Sequence, residues 1–140
     1  MKIKIEAHNE ILNRVPSSPP ETGGILGGNK GVITEFIFDI GLTGGDIGHY
    51  YPNTDKLNRV LVEWQKFGIE FYGIVHSHFN CDNSLSLDDQ LYIRKIMMAM
   101  PNTIRMLYFP IVFPRKEILS FKAEWIENEV DITLSDIELF

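Results

Sequence analysis

The stretch Glu70-Phe71-Tyr72-Gly73-Ile74-Val75-His76-Ser77-His78, followed by the connection 79–85 and then Ser86-Leu87-Asp88-Asp89, decides the reading of this chain. Aromatic and β-branched residues make 71–75 a buried strand. His76 and His78 stand two apart, and on a strand such side chains share a face. Ser86 then opens a helix, predicted over 86–100 and closed by Pro101, whose first turn carries Asp89 toward the two imidazoles. A hydrolytic zinc ion commonly takes three such protein donors and keeps its fourth position for water. Each half also has a plainer reading. Histidines at i and i+2 fit a partly exposed strand with no metal. Ser-x-x-Asp is close to a capping box, in which the serine caps the helix and the acid reaches back.

Upstream, Pro20-Glu21-Thr22-Gly23-Gly24-Ile25-Leu26-Gly27-Gly28 puts a glutamate at the entry to a short apolar strand. Gly23 and Gly24 let another backbone approach closely. Zinc-dependent hydrolysis needs a general base that is not itself a ligand, and Glu21 is of the right type. Spacing alone does not carry it to the metal; by itself it reads as a loop glutamate near prolines.

Taken in order, Glu21-Thr22-Gly23-Gly24-Ile25-Leu26-Gly27, His76-Ser77-His78 and Ser86-x-x-Asp89 resemble the motif of the JAMM/MPN metalloprotease family. The similarity covers roughly the first 125 residues and points to the compact prokaryotic branch. It implies an α/β (α+β) fold, a mixed, largely antiparallel curved sheet flanked by helices, of the cytidine-deaminase-like type, with the metal at the strand end bearing the histidines. It implies that His76, His78 and Asp89 bind one zinc ion (Zn2+). It further implies that Glu21 takes a proton from metal-activated water and delivers it to the leaving amine, while Ser86 hydrogen-bonds the developing oxyanion. The implied reaction is hydrolysis of an amide or isopeptide bond after the C-terminal tail of a ubiquitin-like or sulfur-carrier protein, which would be the partner. The connections 41–52 and 79–85 are the expected walls of the site.

Two departures stand out. Members often carry proline after the second histidine and before the serine; here those positions are Phe79 and Leu85. Proline would stiffen the loop by fixing φ, so a looser loop or different substrate contacts are expected, with the ligands unaffected. The same loop holds Cys81 and Asp82. Cys81 reads as an ordinary lone thiol, with a redox-sensitive thiol or a fourth ligand as alternatives. Two other functions are compatible with parts of the pattern. A non-catalytic MPN-type scaffold would have lost ligands, whereas every chemical position here is filled. A RadC-type nucleic-acid-associated protein shares His-x-His, but the net charge of −6 and the Glu21-Thr22-Gly23-Gly24 match argue against it.

With 140 residues, 44% hydrophobic and 23% charged, the chain has the composition of one globular domain. Residues 1–126 are expected to form the metalloprotease domain, and 127–140 a strand or tail packing on it. One cysteine excludes an internal disulfide and suits a reducing compartment. No N-terminal signal pattern and no 18-residue apolar run occur. The expected location is the cytoplasm, with no nucleic-acid or membrane partner.

The remaining pattern completes the outline. A strand over 2–6 precedes a helix over 7–15. Strands over 22–27 and 32–40 form a hairpin through a Gly- and Asn-containing turn. The Gly-rich connection 41–52 contains His49, expected to be a loop histidine outside the site. Leu57, Val60, Leu61 and Trp64 follow i, i+3, i+4, i+7 and mark an amphipathic helix over 53–67. Strands are predicted over 106–113, where Pro110 signals an edge or a bulge, and over 118–126.

Overall fold

β2 (Gly23–Asn29) and β3 (Val32–Asp39) pair antiparallel, with Asn29 opposite Val32. Lys30 and Gly31, both at positive φ, turn the chain in the mirror-image form whose twist suits a two-residue hairpin. This computed structural model describes residues 1–42, 49–79 and 83–140. The other elements are β1 (Lys2–Ile3), α1 (Ile5–Arg14), α2 (Thr54–Lys66), β4 (Glu70–Ser77), α3 (Leu87–Ala99), β5 (Met106–Tyr108), β6 (Ile111–Phe113), β7 (Glu117–Ile126), β8 (Glu129–Ser135) and β9 (Glu138–Leu139). Asn53 caps α2, its side chain accepting from the Lys56 N–H.

The described strands form one mixed sheet. β4 lies beside β2 antiparallel, and β5 and β6 follow one another along its other edge, parallel to β4 and antiparallel to β7. β3 continues through β1 to β9 on the opposite side, and β8 pairs with β7. Only Asp136 and Ile137 separate β8 from β9, which lie on opposite sides of the sheet. Two residues reach only about 7 Å, so the sheet curls until these edges meet. Residues after 126 therefore supply strands to both edges, rather than a loose tail.

Side chains alternate between two cores. Leu26 and Val75 face α1, joining Ala7, Ile11 and Val15. Ile25 and Ile74 face α2 and α3, joining Leu57, Trp64, Ile93 and Met97. Each fully buried aliphatic side chain contributes about 1.5–3 kcal/mol, which seats a helix layer on each face. Since His76 and His78 share the parity of Ile74, both emerge on the α2/α3 face at the end of β4.

Two sequence expectations change. The first strand stops at Ile3, and α1 begins at Ile5, because burying Ala7, Ile11 and Val15 on one stripe requires helix there. The strand predicted over 106–113 breaks into β5 and β6 at Phe109-Pro110. Pro110 is not at an edge: its segment lies between β4 and β7, and its carbonyl accepts the His76 N–H at 3.2 Å. A proline lacks a donor but keeps its acceptor, so this interior break still supports β4. No helix among the described residues is long and apolar enough to cross a membrane.

Candidate metal centre

The strand half of the site is held from both sides. The Thr22 N–H donates to Ser77 Oγ at 3.0 Å, and the Ser77 N–H donates to the Thr22 carbonyl at 2.8 Å. That exchange sets Thr22, and Glu21 next to it in sequence, against the end of β4. On the other edge the His78 N–H donates to the Val112 carbonyl at 3.0 Å. Gly23 is opposite His76; a Cβ there would lie 2.0 Å from the Val75 carbonyl oxygen and 2.8 Å from the Tyr50 ring. Only glycine permits this approach.

The helix half is organised by Ser86. Its Oγ accepts the Asp89 N–H at 3.0 Å, and Asp89 Oδ2 accepts the Ser86 N–H at 3.0 Å, a complete capping box. The same carboxylate faces the imidazoles, with Oδ1 at 3.5 Å from His76 Nε2 and Oδ2 at 3.4 Å from His78 Nε2. The two Nε2 atoms are 3.0 Å apart. Glu21, His76 and His78 offer ligand atoms that all lie within 4.8 Å of one another.

These spacings suit a small divalent ion. Zinc–nitrogen bonds of about 2.0–2.1 Å in a tetrahedron separate neighbouring donors by about 3.3–3.4 Å. The imidazole–imidazole and imidazole–carboxylate separations bracket that value, and N and O donors are those zinc takes. The carboxylates differ electrostatically. Burial pushes the Glu21 carboxyl up and Asp89 reinforces this, while His76 and His78 oppose it. Burial would also raise Asp89, but hydrogen bonds from His76 and His78 prevail and hold it well below the usual carboxylate range.

No family model matches the chain, and no curated protein matches it. Solved structures do. A protein from Desulfitobacterium hafniense, known from a solution structure, is 16% identical with a TM-score of 0.66, over 99% of this chain and 92% of that one. A JAB1/MPN domain protein from Archaeoglobus fulgidus is 18% identical with a TM-score of 0.55, over 99% of this chain and 98% of that one. The fold is MPN-like. At these identities the likeness is one of fold alone, and MPN folds include enzymes and non-enzymes.

Residues 49–52 of the connection 41–52, an expected wall, do line the site, and they bring one residue expected outside it. His49, expected outside it, lines a cavity of about 270 Å³ together with His76 and Asp89. Its Nε2 is 3.3 Å from Asp88 Oδ2. Tyr50 shares that wall, its hydroxyl donating to buried Asp39 at 2.6 Å. Burial and Asp39 push the Tyr50 hydroxyl far above its ordinary range. A second cavity, about 330 Å³, opens beside His78 and Phe79. Cys81 and Asp82 lie outside the described residues, as do 43–48 and Asn80 within the two expected walls.

Proposed function

We propose that this protein is a zinc-dependent metallopeptidase of the JAMM type, hydrolysing an amide bond after the C-terminal tail of a ubiquitin-like or sulfur-carrier protein. The observation that carries the reading is the gathering of His76, His78, Asp89 and Glu21 at one strand end. His76, His78 and Asp89 would hold the ion. When bound, zinc acidifies water and polarises a carbonyl.

The chain's own residues divide the remaining work. Glu21, whose burial raises its proton affinity, takes a proton from water and passes it to the departing amine. Asp89, held ionised by the imidazoles, suits the ligand role, which requires the deprotonated form. The proposal takes Glu21 as base and Asp89 as ligand, a division this contrast favours; Glu21 also lies within ligand reach of both histidines. Ser86 uses a lone pair to accept the Asp89 N–H. Its O–H remains a donor, able to bond a carbonyl oxygen more strongly as charge develops in the transition state. Residues 1–126 carry this machinery in the proposal, and 127–140 complete the sheet around it.

The test is metal analysis of the purified protein, paired with cleavage of ubiquitin-like fusions with and without chelator. One zinc per chain and chelator-sensitive cleavage are expected. A protein that takes up no zinc, or cuts equally well in chelator, ends the reading.

A further inference from the structure

The two sides of the imidazole pair are built differently. On the His78 side the cavity is mixed, with Ser17, Asn83, Lys116 and Glu117 in its lining. On the His76 side Tyr50, Tyr51, Tyr92, Phe109, Ile74 and Ile93 make up more of the lining, with His49 and Asp88 at its polar margin. His76 and Asp89 belong to the same lining, so an occupant lies beside the proposed reaction centre.

Size and rigidity narrow the occupant. A dry apolar cavity of about 150 Å³ already accommodates benzene, and this one is about 270 Å³. Its Tyr50 wall is fixed in place. Asp39, 1% exposed, accepts from the Tyr50 hydroxyl at 2.6 Å and from the Asn53 N–H at 2.9 Å. The Tyr50 ring fills the space that Gly23 and Gly41 leave by lacking a Cβ. A preformed apolar hollow binds an apolar group without first ordering its walls.

We infer that the His76-side cavity is a specificity pocket for a large aromatic or aliphatic side chain on the residue at one side of the scissile amide. Glycine at that position would leave the aromatic and aliphatic walls unfilled. The placement beside a scissile bond rests on the hydrolase reading above; the binding preference itself does not.

The experiment titrates N-acetylphenylalaninamide and N-acetylglycinamide into the protein, metal-free and zinc-loaded, following the methyl NMR signals of Ile74 and Ile93. The phenylalanine probe is expected to bind about tenfold tighter or more and to shift both methyls in either metal state. Ile74→Phe, which fills the hollow, should remove the preference. Tyr51→Ala, at an exposed lining residue where folding is not at stake, should reduce it several-fold. Equal binding of the two probes, shifts confined to other methyls, or a preference untouched in both variants would overturn the inference. Because the readout is binding, a failure to find zinc or cleavage sinks the hydrolase proposal without deciding this one.

Discussion

The candidate centre joins two halves that are made in different ways. The strand half, Glu21 with His76 and His78, is built into the sheet: β2 and β6 bond to β4 on either side, and Gly23 lets the backbones close up. The helix half, Ser86 and Asp89, is attached by a capping box at the exposed start of α3. A sheet ladder resists displacement through many long-range bonds, whereas a cap is worth about 1 kcal/mol. The strand half therefore sets where an ion can lie. In the proposed centre the helix half would complete its shell through one carboxylate that also serves the helix.

That contrast can be broken most forcefully at Glu21. Glu21→Gln should lower amide hydrolysis about 10²–10⁴-fold and leave zinc content unchanged. Loss of zinc from this variant would move Glu21 into the coordination shell and reverse its roles with Asp89. His78→Ala and Asp89→Ala should each strip zinc, read by metal analysis after dialysis. Asp89→Ala should in addition lower metal-free stability by about 1 kcal/mol, since it removes half of the capping box; unchanged denaturant midpoints in that variant would show that the cap contributes nothing. Ser86→Ala should slow turnover about 10²–10³-fold if its O–H meets the oxyanion. A normal rate with reduced stability would leave Ser86 as a cap only. The last effect is on stability rather than on turnover. Gly23→Ala should cost about 1–3 kcal/mol in chemical denaturation, because its Cβ would collide with the Val75 carbonyl and Tyr50. Wild-type stability there would mean that the strand half is less tightly held than the ladder implies.

Much of the scaffold is legible locally. The aromatic and β-branched run 71–75, the stripe Leu57-Val60-Leu61-Trp64 and the Gly- and Asn-containing turn 28–31 each state a propensity, a period or a backbone requirement within a few residues. The two readings of Ser86–Asp89 looked like alternatives in sequence. In the structure they coexist, because a carboxylate has two oxygens and Asp89 faces both the Ser86 N–H and the imidazoles. His49 was harder to see. Nothing in a Gly-rich connection states which wall it will line, and its neighbours in the cavity come from β4, α3 and the segment before β6. Asp39 is similar: on paper it ends a strand, yet it orients Tyr50 from a fully buried position.

By itself, the amino-acid sequence determined the elements and the face of β4 on which the histidines lie, because strand and helix periods are local consequences of backbone geometry. Only the tertiary structure brought Glu21 to them, across the 55-position separation of Thr22 and Ser77, and walled one side of the pair with aromatic rings. Such meetings depend on strand order and sheet curl. These arise when distant apolar faces are buried together, and no short stretch of chain encodes them.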